Sequence, residues 1–216
     1  MIVLMTDVLI SPPIPNSLPQ PKALPRLAIL ASGKGSNMAA IATAIAQREL
    51  QAQLQVVIYN NPDAKVFEQA HQRQIPTVLL NHRDFASREA LDEAIIETVK
   101  HYQADWVIMA GWMRRVTQVL IDAFPQRILN IHPSLLPSFP GVRAVEQALA
   151  AGVKVTGCTV HYVEFKVDSG PVIIQAAVPI RADDTAASLQ ARIQVQEHRI
   201  YPTAIAIATA AISNSP

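Results

Sequence analysis

The chain has 216 residues, half of them hydrophobic and 16% charged; that is material for one domain with a packed core, and it excludes a chain disordered throughout. The net charge of +1, from 18 basic and 17 acidic residues, gives no bulk signal for nucleic acid or an anionic membrane. One cysteine cannot make an internal disulfide or a Cys-rich zinc site, and 5% aromatics leave little for base stacking.

Met1 to Ile10 is apolar but short, is interrupted by Thr6 and Asp7, and has no basic residue ahead of it. It lacks the features of a signal peptide and the length of a membrane span. Prolines at 12, 13, 15, 19, 21 and 25 follow. This density excludes helix and predicts an extended, disordered extension over residues 1–25. A single folded domain is then expected over 26–212, with a frayed SNSP end.

From Arg26 apolar runs alternate with amphipathic stretches. Strands are predicted at 26–32, 54–60, 76–80, 105–111 and 127–131. Helices are predicted at 37–48, 62–71, 87–101 and 116–123, with Ser87 as an N-cap. The strand runs are continuous rather than alternating, as a parallel sheet covered on both faces requires. The fold class is therefore α/β, a doubly wound, mostly parallel sheet. After Ile131, HPSLLPSFPG must be a long loop, and a helix is expected at 142–151. Strands at 159–165 and 171–180, joined by a turn with DSG, read as an antiparallel addition. A final helix starts near Thr185 and is expected to be interrupted near Pro202.

Three segments could carry chemistry. ASGKGSNMAAI (31–41) is a strand, a turn and a helix start. It reads equally as a phosphate cradle, with Ser36 and Asn37 as added donors and Lys34 nearby, or as a tight turn. It matches neither the Walker A nor the GxGxxG spacing. In RILNIHPSLLPSFPG, Asn130 and His132 alternate across Ile131, so both project the same way at the carboxyl end of a strand. An amide can stabilise an oxyanion, and an imidazole can move a proton near neutral pH. In the third segment, Asp168 lies in a turn, either as an ordinary turn residue or as a partner that sets the proton affinity of His132. No spacing of His132, His161 and Asp168 resembles a metal motif. Cys158, inside an apolar strand, reads as a buried small residue rather than a nucleophile.

Together ILASGKGSNMAAI, YNNPDAKVFEQA, SREALDEAI, MAGWMRRV, LNIHPSLLP-FPG, GCTVHYVEFKVDSGPVIIQAAVPI and QVQEHRIYP resemble the phosphoribosylglycinamide formyltransferase family, in the family's order, over about 26–205. The resemblance implies a Rossmann-like formyltransferase fold with antiparallel C-terminal strands. It implies transfer of the formyl group of 10-formyltetrahydrofolate, a co-substrate, to the amine of glycinamide ribonucleotide in purine biosynthesis, without a metal. It assigns catalysis to Asn130, His132 and Asp168, and phosphoribosyl binding to Gly35, Ser36, Asn37 and Glu197. It assigns folate binding to Arg88, Met113, Arg114, Arg115, Val116, Asn130, Glu164, Phe165, Lys166, Val167 and Asp168. The implied partners are small molecules only, with no nucleic acid and no membrane, in a cytoplasmic monomer or homodimer.

Arg143 and Val145 stand where the family often carries histidines, Ser169 where a second glycine is common, and Lys34 where a small or amide residue is frequent. Methionyl-tRNA formyltransferase and formyltetrahydrofolate hydrolase share the core but carry an added C-terminal or N-terminal domain, respectively. The chain's short ends are expected to exclude both. A non-catalytic binding module on the same scaffold is the competing class.

Overall fold

In a computed structural model that describes residues 9–213, eight strands form one sheet. The central parallel strands are β2 (Arg26–Ala31), β3 (Gln53–Tyr59), β4 (Thr77–Leu79), β5 (Trp106–Met109) and β6 (Ile128–His132). Then β7 (Val155–Tyr162), β8 (Val172–Pro179) and the two-residue β1 (Ile10–Ser11) add antiparallel. The order β1-β8-β7-β6-β5-β2-β3-β4 reverses direction between β2 and β5. Open α/β sheets bind ligands outside the carboxyl ends of the strands at such a point.

Alternate residues of the same strands feed two separate cores. Leu27, Ile29 and Ala31 of β2 face α1 (Ser36–Ala46) and α6 (Ala186–Ser213). Ala28 and Leu30 face α3 (Arg88–His101) and α4 (Gln118–Ala123). Both faces being covered is why these strands read as unbroken apolar runs. Each fully buried Leu or Ile contributes about 1.5–3 kcal/mol relative to exposure. Ser87 caps α3 through its side chain, which accepts from the Ala90 N–H at 3.1 Å. Among the described residues, no helix is long and apolar enough to cross a membrane.

Four sequence expectations differ from what is observed. The helix expected from Pro62 starts at Val66 as α2 (Val66–His71). Residues 61–64 form a turn first, with the Asn61 side chain and carbonyl accepting from Asp63 and Ala64, and the Val66 N–H is held by the Gly33 carbonyl. The strand expected at 159–165 begins at Val155 and ends at Tyr162. Gly157 permits this: a Cβ there would stand 1.9 Å from the Ala176 carbonyl oxygen, so only glycine lets β7 run close beside β8. The final helix is not interrupted; α6 continues through Pro202 for 28 residues. Proline removes one helical hydrogen bond at a loss of about 3 kcal/mol. Buried Ile200, Tyr201, Ala204 and Ile205 around it outweigh that loss.

The fourth difference is the proline-rich segment. Its residues 1–8 lie outside the described residues, as does the C-terminal end from 214. Within 9–25, Ile10 and Ser11 pair with Ala176 and Gln175 of β8, and Ile14 and Leu18 pack against the core. Proline density reports the lack of helix but is silent about a few apolar side chains that find a sheet edge.

Candidate active site

Two groups of polar residues converge at the carboxyl ends of the strands. The first is built by register. Asn130 on β6 is paired opposite His161 on β7, and His132 opposite Thr159. Residues directly opposite share a sheet face, so Asn130, His132, Thr159 and His161 all lie on the side away from Cys158 and Val160. Asp168 reaches this face from the β7–β8 turn. Its φ of 52° is left-handed, which Asp tolerates better than most residues. Gly170 is required in the same turn, because a Cβ there would lie 1.9 Å from the Tyr162 carbonyl oxygen. Ser169 keeps φ out of the positive range and donates to the Lys166 carbonyl at 2.8 Å.

The Asp168 carboxylate is the hub. Oδ2 accepts from the Gly141 N–H at 2.7 Å and faces His132 Nδ1 at 3.4 Å. Oδ1 faces Asn130 Nδ2 at 3.5 Å and His161 Nε2 at 3.7 Å. Burial pushes its pKa up, but His161, the Gly141 N–H and the charge of His132 together hold it below the ordinary carboxylate value. Asp168 is therefore ionised at neutral pH. His132 Nε2 sits 2.9 Å from the Phe139 carbonyl, which can only accept, so that nitrogen carries a proton. Its Nδ1 faces the ionised Asp168, so a donor at each ring nitrogen is what the two neighbours accept. His161 Nδ1 is likewise tied to the Tyr162 carbonyl at 2.8 Å, and its Nε2 stands 3.2 Å from Asn130 Nδ2 and 3.7 Å from Asp168 Oδ1, accepting from the amide when unprotonated and donating to the carboxylate when protonated.

The loop 133–141 is fixed from beneath. The Thr159 hydroxyl donates to the Ser134 carbonyl at 2.6 Å and accepts from the Leu136 N–H at 3.0 Å. Gln175 donates to the Leu136 carbonyl and to Thr159, both at 2.9 Å. The expected departure at 143 and 145 is structural here. Arg143 has φ 56° ahead of α5 (Ala144–Ala150), and Val145 is buried.

The second group lies at the end of β2. Gly35, with φ 79°, turns the chain into α1 and leaves the first N–H groups without a side-chain cap or an acidic neighbour. A Cβ on Gly35 would be 2.6 Å from Val66 Cγ2. Gln194 donates to Ser36 Oγ at 2.8 Å, and Asn37 Nδ2 donates to Glu197 Oε2 at 2.9 Å. Burial pushes the Glu197 pKa up, and the Asn37 hydrogen bond only partly offsets it. Asn37 Oδ1 is buried with no partner. One turn after Glu197, the buried Tyr201 hydroxyl donates to the carbonyls of Met109 at 3.0 Å and Leu129 at 3.2 Å, locking α6 onto β5 and β6. Lys34 is exposed.

The formyl transferase family matches residues 25–205 of the chain. The chain belongs to this family. It is 41% identical to the phosphoribosylglycinamide formyltransferase of Bacillus subtilis over 83% of the chain and 92% of that protein. It is 42% identical to the human trifunctional purine biosynthetic protein adenosine-3 over 83% of the chain, but spans only 18% of that longer protein. The crystal structure of glycinamide ribonucleotide transformylase 1 from Symbiobacterium toebii superposes with a TM-score of 0.83 at 43% identity, covering 88% of each chain.

Within this formyl transferase, Asn130, His132 and Asp168 come together, as do Gly35, Ser36, Asn37 and Glu197. The remaining candidates are mostly exposed. The Met113 N–H is tied to Ser32 Oγ at 2.8 Å while its side chain is 70% exposed, as is that of Phe165. Arg88, Arg114, Arg115, Glu164 and Lys166 are exposed, Val167 is 38% exposed, and Val116 is half-buried. No hydrogen bond or ion pair among the described residues joins Arg88 to 113–116 or 164–167. Three site residues escaped the sequence reading: His161, weighed only as a metal ligand, and Gln194 and Thr159. Gln194 stands one turn before Glu197, a signal that helical spacing offered. The Cys158 thiol is buried and its pKa is pushed far up, as an inert packing residue requires. Among the described residues, no cluster of three or more His, Cys, Asp or Glu is placed to hold a metal ion.

Proposed function

We propose that the chain transfers the formyl group of 10-formyltetrahydrofolate to the primary amine of glycinamide ribonucleotide, giving formylglycinamide ribonucleotide and tetrahydrofolate. The observation that carries this reading is the convergence of Asn130, His132 and an ionised Asp168 beside a phosphate-shaped loop, in a member of the formyl transferase family.

The amine nitrogen attacks the formyl carbon, a C–N bond forms, and the carbonyl oxygen becomes an oxyanion. Asn130 Nδ2 and the His132 imidazolium are the donors for it. In the ligand-free site both are engaged with Asp168, at 3.5 and 3.4 Å. These contacts are long, so an oxyanion at normal hydrogen-bond distance displaces them readily. Collapse breaks the bond from the formyl carbon to the folate nitrogen. The proton lost by the attacking amine reaches that nitrogen, with Asp168 assisting through a water. No covalent enzyme intermediate is required. The uncapped start of α1 at Gly35, Ser36 and Asn37 binds the nucleotide's phosphate, and Glu197 binds its ribose. The orphaned Asn37 Oδ1 and the desolvated Glu197 await donors there, and ribose hydroxyls are such donors. Exposed Met113, Phe165 and Val167 supply apolar contact for the pterin and benzoyl rings. Arg88, Arg114 and Arg115 suit the folate's carboxylates. The single unit of this activity is residues 26–212.

The test is release of deformylated folate followed with and without glycinamide ribonucleotide. The reading predicts product only with the nucleotide; free formate formed without an amine acceptor would make the chain a hydrolase instead.

A further inference from the structure

Away from the catalytic residues, a groove of about 990 Å³ runs along the outer face of α1. One wall is the segment 14–20 between β1 and β2, and the other is α6 at 198–203. The floor is made of small residues, Ala39, Ala40, Thr43 and Ala44.

Its charge is one-sided. Arg48, Arg73 and Arg199 line it, and Glu49 is the only carboxylate that does. None of the three arginines is in an ion pair among the described residues. Arg73 and Arg199 donate only to neutral groups, the backbone and side chain of Gln69 and the side chain of Gln196. Guanidiniums whose partners are all neutral keep their preference for an anion, above all phosphate. The net of three cations and one anion matches a phosphate monoester, which carries close to two negative charges at pH 7.

The rest of the groove suits an organic body. Ile14 and Leu18 present aliphatic surface from the strap, and Pro202 presents its ring from α6. Because Pro202 has no N–H, the His198 carbonyl lacks its helical donor. His198 Nε2, in the same wall, is buried without a partner. Apolar walls with a few polar groups among them suit an organic ring that carries its own donors and acceptors.

We propose that this groove binds a nucleoside monophosphate, its phosphate on Arg48, Arg73 and Arg199 and its base against Ile14, Leu18 and Pro202. The site is separate from the phosphate loop, although Ser36 stands at the border of both.

Isothermal titration of the full chain with AMP, and separately with inorganic phosphate, tests this. Three proteins are compared: wild type, the double variant Arg73→Gln/Arg199→Gln, and Asn37→Asp, which places a negative charge in the phosphate loop. AMP is expected to bind saturably, at least tenfold more weakly to the double variant, and within threefold of wild type in Asn37→Asp. Inorganic phosphate is expected to bind at least tenfold more weakly than AMP. Ala40→Leu, which fills the floor, is expected to reproduce the loss and serves if the double variant fails to fold. Absence of saturable binding, unchanged affinity in the groove variants, or loss in Asn37→Asp alone overturns the site. Phosphate binding as tightly as AMP overturns the nucleoside assignment.

Discussion

Two buried carboxylates take opposite electrostatic positions in this site. Asp168 is held below the ordinary carboxylate value because cationic and N–H neighbours outweigh its burial. A depressed folded pKa means its stabilisation is fully present above the unfolded value, near 3.9, and is lost as pH falls through the lower folded value. Asp168→Asn is therefore expected to lose about 1–3 kcal/mol of stability at pH 7. The gap from wild type should close as urea denaturation is repeated below about pH 4. Glu197 is the reverse case. Burial raises its folded pKa, so its contribution is complete below the unfolded value and declines as pH rises through the folded one. At pH 7, Glu197→Gln keeps an acceptor for Asn37 Nδ2 and removes a carboxyl whose charged form burial disfavours. Calorimetry should show Tm unchanged or a few degrees higher than wild type, converging at about pH 4. The KM for the nucleotide should rise roughly tenfold, as expected for the loss of a charge-assisted hydrogen bond. A fall in Tm at pH 7 would mean that the ionised form is the stabilising one.

At the scale of elements, turns and registers carry the site more than helices do. Gly35 must hold φ 79° with Val66 pressed against it. Gly35→Ala is expected to cost about 2 kcal/mol from left-handed strain and the clash, read by chemical denaturation, and to weaken nucleotide binding in parallel. The sequence made the parallel strands, α3 with its Ser87 cap, and the alternation of Asn130 and His132 legible, because each follows from local periodicity or local capping. It did not make Pro202 within α6 legible, since breaking power is local while the compensating burial of Tyr201 and Ile205 is tertiary. The contribution of His161 was hidden for a similar reason. Only the antiparallel pairing of β6 with β7 sets it opposite Asn130, 31 residues away.

For the molecule as a whole, the sheet gathers both halves of the candidate site at the carboxyl ends of its central strands, with β2 leading into the Gly35 turn and β6 carrying Asn130 and His132. The segment 9–20 adds a strap across β8 and one wall of the α1 groove. Leu18→Ala is expected to lower stability by roughly 1–2 kcal/mol, as for a partly buried side chain, and an unchanged Tm would show that the strap contributes nothing to the fold. Residues 26–205 were recognisable as a formyl transferase because seven separated segments keep their order; the strap was not, because composition describes its backbone and not its few apolar contacts. The central claim is that Asp168 works on the reaction in addition to steadying the scaffold, and steady-state kinetics of Asp168→Asn with 10-formyltetrahydrofolate and glycinamide ribonucleotide tests it most directly. The account predicts that kcat falls at least roughly a hundredfold while the nucleotide KM stays within about threefold. Equal losses in kcat and nucleotide affinity, or a kcat near wild type, would contradict it.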